Sequence, residues 1–164
     1  MDIEKLVADL KEHAAEDAVF EVKKEGLQPS LYINPLFIKQ VTAFLRDDPA
    51  YYMDFLSSIS AVDYYPDGYF EVVYHLSSII KGTQLCLKVK LEDLRETNEL
   101  PEVDSLSAIW RTAEWHEREC FDLMGIFFRG HPDLRRILLP DDWEGFPLRK
   151  DYKDMEEYHG IAIK

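Results

Sequence analysis

The apolar residues of this chain recur at helical spacing in three places and alternate with polar residues in several others. Helical periodicity predicts amphipathic helices over residues 2–16, from Pro35 to Asp48-Pro49 with an apolar stripe over 37–45, and over 105–124. The second helix follows Asn34-Pro35, a capping side chain and a proline suited to the first helical position. The third helix is expected to end at Gly125, a common C-terminal signal.

Alternation with a period of two residues predicts several strands, although it is poor over residues 56–64. They are expected over residues 18–23, 27–33, 56–64, 69–76 and 84–91, with a short addition over 126–128. Pro66-Asp67-Gly68 is a hairpin turn signal. Pro29 indicates that the strand over residues 27–33 lies at a sheet edge or at a bulge.

The strand over residues 84–91 has one clean apolar face, built from leucines and Val89, while Lys88 and Lys90 point to the other side. Such a face is typical of a sheet that helices cover on one side only. We therefore predict an α+β fold of two layers. Its sheet is mixed but mostly antiparallel, with about four to five strands and with helices on one face.

The C-terminal region differs from the rest of the chain. After an acidic connector over residues 92–104, a helix and a short strand, residues 129–164 contain many glycines and prolines and no long periodic segment. Arginine and aromatic residues are frequent there, so the region is too apolar for disorder. We predict an α+β domain over residues 1–128 and an extended, irregular tail over 129–164 that packs on the domain and on partner subunits.

Composition and charge exclude several classes of function. The 164 residues are 46% hydrophobic and carry a net charge of −13, which disfavours binding to nucleic acid or to anionic lipid. No apolar run is long enough to span a bilayer. Cys86 and Cys120 cannot supply the four thiolates of an iron–sulfur cluster. The N-terminus has neither a signal peptide nor a transit peptide pattern, which favours a cytoplasmic protein of prokaryotic type.

One enzymatic alternative remains open. His116-Glu117-x-x-Cys120 resembles the helix of zinc proteases with its second histidine replaced, and His131 could add a third ligand. The alternative is therefore a zinc-dependent hydrolase that uses His116, Cys120 and His131. The competing interpretation is a surface histidine and a buried cysteine that acts as a small apolar residue.

The same helix carries two kinds of charged residue. Glu117 falls on the apolar face with Ala113 and Cys120, so its carboxylate requires a partner, and we expect an arginine of the tail. Glu114, Arg118 and Asp122 form a row at intervals of four residues on another face. That row is either a solvated surface or a grip on another protein, and the sequence favours neither.

Three consecutive motifs resemble one known family. They read Glu117-Arg118-Glu119-x-x-Asp122-x-x-Gly125-Ile126-x-Phe128, then Gly130-His131-Pro132-Asp133-Leu134-Arg135-Arg136-Ile137-Leu138, then Gly145-x-Pro147-Leu148-Arg149-Lys150-Asp151-Tyr152. They strongly resemble the 30 kDa subunit family of respiratory complex I, the NADH:quinone oxidoreductase. Ser58-x-x-Ala61-Val62-Asp63 also fits it, and the resemblance covers most of residues 50–152. One departure is Lys153, where many members carry proline.

The resemblance implies a place in a larger enzyme. Members of the family bind no cofactor of their own and lie in the peripheral arm of a proton-translocating NADH:quinone oxidoreductase. The implied partners are the large quinone-site subunit and the terminal-cluster subunit, on the cytoplasmic side of the bacterial inner membrane. NADH, FMN, iron–sulfur clusters and quinone are expected in other subunits. Equivalent subunits occur in membrane-bound hydrogenases and ferredoxin-linked complexes.

On this basis we expect no catalytic, cofactor-binding or metal-binding residue, and we expect a network of side chains that fixes the tail and its partner contact. The predicted residues are Glu117, Arg118, Glu119, Asp122, His131, Asp133, Arg135, Arg136, Trp143, Arg149, Lys150, Asp151 and Tyr152.

Overall fold

A computed structural model describes residues 1–25 and 28–162 of the chain. Three helices are formed in these residues, α1 (Ile3–His13), α2 (Ile38–Asp47) and α3 (Ala113–Met124). The main sheet consists of β1 (Val19–Lys23), β2 (Ser30–Ile33), β3 (Phe55–Asp63), β4 (Tyr69–Ser78) and β5 (Thr83–Glu92). Two smaller pairs are β6 (Glu102–Asp104) with β7 (Phe127–Arg129), and β8 (Glu157–Tyr158) with β9 (Ile161–Ala162).

The strand order of the main sheet is β1-β2-β5-β4-β3. All neighbours are antiparallel except β2 and β5, which run parallel with Leu31 opposite Leu87. The predicted α+β class, with its mixed, mostly antiparallel sheet, is therefore confirmed. The long β3-β4-β5 meander contains the strands predicted over residues 56–64, 69–76 and 84–91, and Pro66-Asp67-Gly68 lies in the turn between β3 and β4.

One face of the sheet forms the core together with all three helices. Phe70 and Tyr74 of β4 and the leucines of β5 belong to the same buried cluster as Leu6 of α1, Val41 of α2 and Cys120 of α3. The predicted covering of a single face is confirmed. In the described residues, every helix is too short or too polar to cross a bilayer.

The prediction that Pro29 marks an edge strand or a bulge is wrong. β2 lies inside the sheet between β1 and β5, and all four of its residues are buried. Pro29 stands just before the strand, where its carbonyl accepts a hydrogen bond from Cys86 N at 3.2 Å and its missing N–H breaks no ladder. Leu27, where the strand was expected to begin, lies outside the described residues.

The third helix begins eight residues later than its periodicity predicts. Residues 105–112 form turns instead, in which Ile109 N and Trp110 N both donate to Leu106 O. Leu106 and Trp110 are nevertheless buried, and Trp110 Nε1 donates to Met53 O at 3.2 Å. The turns place these apolar side chains in the core as a helix would. For this reason the spacing of the apolar residues wrongly predicted a helix here. The connector before them also contains structure, a 3-10 turn at Arg95–Thr97 and β6.

Candidate functional site

The candidate site is the C-terminal tail, residues 129–162 of the described chain, together with the side chains that hold it. Asp122, near the end of α3, anchors its first part. Oδ2 of Asp122 accepts hydrogen bonds from the backbone N–H groups of Ile137, Leu138 and Leu139 at 2.7 to 3.0 Å. Oδ1 accepts from Arg136 Nη1 at 2.7 Å. Burial by itself would raise the pKa of Asp122, but these four donors hold it below its ordinary value.

Two arginines extend this anchor to the tail backbone. Arg136 Nη2 donates to the carbonyls of Trp143 and Gly145, both at 3.0 Å. Arg118 donates to the carbonyls of Arg135 and Arg136 at 3.1 and 2.9 Å. The row of α3 charges is therefore no solvated surface, because Asp122 is fully buried and Arg118 holds the chain's own tail.

A second anchor centres on Arg95, in the 3-10 turn of the connector. Arg95 Nη2 lies 3.0 Å from Oδ1 of Asp63, at the end of β3, and Arg95 Nε donates to Asp93 at 2.8 Å. Arg95 Nη1 is 2.9 Å from Asp151 of the tail, and Lys150 N donates to Asp63 Oδ2 at 2.9 Å. Burial opposes ionisation of Asp63, yet the Lys150 N–H and the Arg95 guanidinium leave its pKa below the ordinary value. The meander, the connector and the tail therefore meet at one ion cluster, in which Asp63 and Arg95 are largely buried and Asp151 is exposed.

Little in the sequence indicates this second anchor. Arg95 is the one basic residue in the acidic connector over residues 92–104, and that isolation is its only signal. Asp63 entered the prediction only as part of a family motif. Both become functional candidates because the fold brings residues 63, 95 and 151 together from distant parts of the chain.

The Arg149 guanidinium contacts two aromatic rings and two backbone carbonyls. Its guanidinium carbon lies 4.5 Å from the ring centroid of Phe146 and 5.1 Å from that of Phe70. Its Nε donates to Met124 O at 2.8 Å and its Nη2 to Gly125 O at 3.3 Å. Arg149 therefore covers the C-terminus of α3, where the unpaired carbonyls favour a cation.

The expected pairing of Glu117 with a tail arginine is wrong. Glu117 is fully buried, and its carboxyl group instead contacts Ser105 Oγ at 2.6 Å and accepts from Leu106 N at 2.7 Å. Burial raises the pKa of Glu117 to about 7, because neither donor is charged. Glu117 thus fixes the turn before α3.

The remaining predicted residues take several positions. His131 Nε2 is hydrogen bonded to Glu114 O at 3.0 Å, while Asp133 and Arg135 form an exposed ion pair at 2.9 Å. Glu119 is exposed on α3. The Trp143 ring lies 5.4 Å from that of Tyr158, next to the short β8-β9 hairpin. The partner-binding role of these residues stays a prediction.

The structure does not assemble the zinc ligands of the alternative interpretation. Over residues 1–25 and 28–162, no three His, Cys, Asp or Glu side chains are grouped so that they could hold a metal ion. The Cys120 thiol is buried, which raises its pKa to about 12, and its Sγ faces Ile59 O. The zinc hydrolase is not supported.

The chain is a two-layer α+β domain with an extended tail that ion pairs and hydrogen bonds fasten to it. Residues 31–158 match the family described as the respiratory-chain NADH dehydrogenase, 30 Kd subunit, and the chain belongs to this family. The predicted resemblance to the 30 kDa subunit of complex I is confirmed.

Known relatives agree with the family. The chain is 43% identical over 148 residues to an NADH-quinone oxidoreductase subunit of Chloroherpeton thalassium, covering 90% of this chain and 60% of that protein. It is 49% identical over 123 residues to an NADH-quinone oxidoreductase subunit of Roseiflexus sp. RS-1, covering 74% and 68%. A chain in the structure of a membrane-bound sulfane sulfur reductase, an archaeal respiratory membrane complex, matches with a TM-score of 0.71 and 25% identity over 92% of this chain and 85% of that one. The chain thus spans well under the full length of the first two relatives.

Proposed function

We propose that this chain is a cofactor-free structural subunit of the peripheral arm of a proton-translocating NADH:quinone oxidoreductase. In that arm it supports electron transfer from NADH to quinone without carrying an electron itself. The family membership and the relatives named as NADH-quinone oxidoreductase subunits support this proposal. NADH, FMN, the iron–sulfur clusters and quinone belong to the other subunits.

The observation that carries the proposal is that the tail is ordered while apolar side chains along it are exposed. Its backbone is fixed to the domain by Asp122 and by the Arg95 cluster, yet Leu138 and Leu148 are 63% and 59% exposed. Ordering an extended segment costs conformational entropy, and these two exposed side chains contribute little burial to offset that cost. An ordered segment with exposed apolar and guanidinium groups is suited to docking on another polypeptide.

The proposed partners are the large quinone-site subunit and the terminal-cluster subunit, reached through the tail. The proposed location is the cytoplasmic side of the bacterial inner membrane, at its periphery. The equivalent place in a hydrogenase or a ferredoxin-linked complex is the second candidate, because a chain of an archaeal respiratory membrane complex shares the fold. The higher identity to NADH-quinone oxidoreductase subunits favours the first candidate.

Affinity purification of a tagged chain from mildly solubilised native membranes tests the proposal. Mass spectrometry is expected to identify the quinone-site and terminal-cluster subunits in stoichiometric amounts, and the preparation is expected to oxidise NADH with a quinone. A tagged Arg135→Glu chain, changed at an exposed residue of the tail, is the matched comparison and is expected to recover less of these subunits. Recovery of the chain alone from membranes that contain an intact complex would contradict the proposal.

A further inference from the structure

A solvent-accessible cleft lies between the tail and the connector. Its volume is about 470 Å³, and its lining includes Asn98, Phe146, Arg149, Tyr152 and Lys153. Two cationic side chains of the tail therefore line one concave surface, on a chain whose net charge is −13.

Arg149 lacks a charged partner, unlike Arg95 and Arg136. Arg95 contacts three carboxylates and Arg136 contacts Asp122. Over residues 1–25 and 28–162, no carboxylate lies within ion-pair distance of Arg149, and its two hydrogen bonds go to neutral carbonyls. Burial lowers the pKa of Arg149, and the Arg95 charge lowers it further, while Asp151, Asp93 and Asp63 oppose this from their positions around Arg95. A partly desolvated cation of this kind favours an incoming anion.

Arg149 Nη1 is the donor in this cleft that an incoming group can reach. It bonds to nothing in the described chain, and it is not enclosed. The Tyr152 side chain lines the same cleft, but its hydroxyl oxygen is enclosed and does not face an incoming group.

We propose that this cleft receives a carboxylate from a neighbouring subunit, an Asp or Glu side chain or a chain end, which binds between Arg149 and Lys153. The inference rests on the proposed function, since it names the chemistry of the partner that docks on the tail. The rim also carries acids: Asp151 is bound to Arg95, and Glu144 is exposed and free to repel the incoming group. A single carboxylate on a projecting segment fits this mixed rim better than a broad acidic surface does.

Carbodiimide coupling of the intact, purified complex tests the inference without any variant. The reagent activates a carboxyl group, the Lys153 amine forms the amide bond, and the oxygen leaves in the urea by-product. Mass spectrometry is expected to find Lys153 joined to an Asp, a Glu or a C-terminal carboxylate of another subunit. Coupling of Lys153 only to acids of its own chain, or to none, overturns the inference.

Two variants and a control sharpen this test. Arg149→Gln is expected to lower the yield of the intersubunit product about tenfold or more, as for loss of one member of a desolvated charge pair. Glu144→Gln is expected to raise the yield, and Arg111→Gln, at an exposed arginine before α3, to leave it unchanged. An unchanged yield with Arg149→Gln overturns the inference. If the purified complex lacks this chain altogether, the proposed function is overturned as well. Failure of the inference alone leaves the chain in the complex, so the two results are distinguishable.

Discussion

Two carboxyl groups on α3 show how hydrogen-bond donors decide the state of a buried acid. Asp122 and Glu117 are both fully buried, but the pKa of Asp122 lies below its ordinary value and that of Glu117 is raised to about 7. Asp122 has a guanidinium and three backbone N–H groups, whereas Glu117 has two uncharged donors. The first is therefore an ionised anchor for the tail, and the second is partly protonated near neutral pH.

Asp122→Ala is expected to destabilise the chain by about 3 kcal/mol, because it leaves the Arg136 charge and three backbone N–H groups without their acceptor. The folded pKa of Asp122 lies below the ordinary 3.8, so this stability is present above that pH and is lost as pH falls through the folded value. Denaturant unfolding and trypsin cleavage of the tail measure the effect. Asp133→Ala, at an exposed ion pair, is the matched control. Equal behaviour of the two variants would contradict the anchoring role.

Glu117→Gln is expected to change the pH dependence of folding. Since the folded pKa is about 7 and the ordinary value is 4.5, the folded chain holds its proton more tightly, and wild-type stability falls as pH rises between these values. Glutamine cannot ionise, so the variant should be more stable than the wild type at pH 8, by on the order of 1–3 kcal/mol. Unfolding free energies at pH 5 and pH 8 check this. Glu119→Gln, on the exposed side of α3, should keep the wild-type slope.

The end of α3 couples the helix to the tail through Gly125. Its φ of +68° is left-handed, and a Cβ there would lie 2.5 Å from Arg149 Nη2 and 2.6 Å from Phe146 Cε2. The helix therefore ends where Arg149 can reach its last carbonyls. A side chain at this position would have to displace the ends of Arg149 and Phe146.

Gly125→Ala is expected to cost more stability than Gly130→Ala. Gly130 has a φ of +79°, but no described atom lies within 4 Å of where its Cβ would be, so only the backbone cost of about 1–2 kcal/mol applies there. At Gly125 the displacement of Arg149 and Phe146 is added. Thermal unfolding of both variants, with tryptic cleavage after Arg149 as a local measure, provides the comparison. A similar loss at the two sites would mean that the tail does not depend on the end of α3.

Element boundaries depended on contacts that no local pattern contains. Periodicity predicted a helix from residue 105, but Glu117 binds the Leu106 N–H and Trp110 reaches Met53, so the segment forms turns. Strand β2 is central because it pairs in parallel with β5, more than fifty residues later in the chain. Its outer side is covered by the lysine stems around Tyr32, with Lys90 Nζ 4.8 Å from the ring centroid.

If the tail docks on a partner, a variant of the whole molecule can lose assembly with the complex while the free chain keeps its stability. Arg135→Glu changes an exposed side chain paired only with Asp133 among the described residues, so the unfolding of the free chain should be nearly unaffected. Recovery with the membrane complex and quinone reductase activity are expected to fall, because the new charge disturbs the surface of the tail. Arg111→Glu is a control with the same change of charge. Wild-type recovery of the Arg135→Glu variant would argue against a partner contact at this residue.

The local pattern of residues was sufficient for the class of fold and for the family. Alternation, capping signals and turn residues act between neighbours, so the helices, the meander and the single apolar face follow from them. The motifs around Asp122 and Arg149 were likewise recognised from the sequence. The sequence did not predict which charged residues pair with each other, because Arg95 meets Asp63 and Asp151 only after the meander, the connector and the tail have packed together. Ion pairs form between side chains close in space, and the three-dimensional packing brings them there.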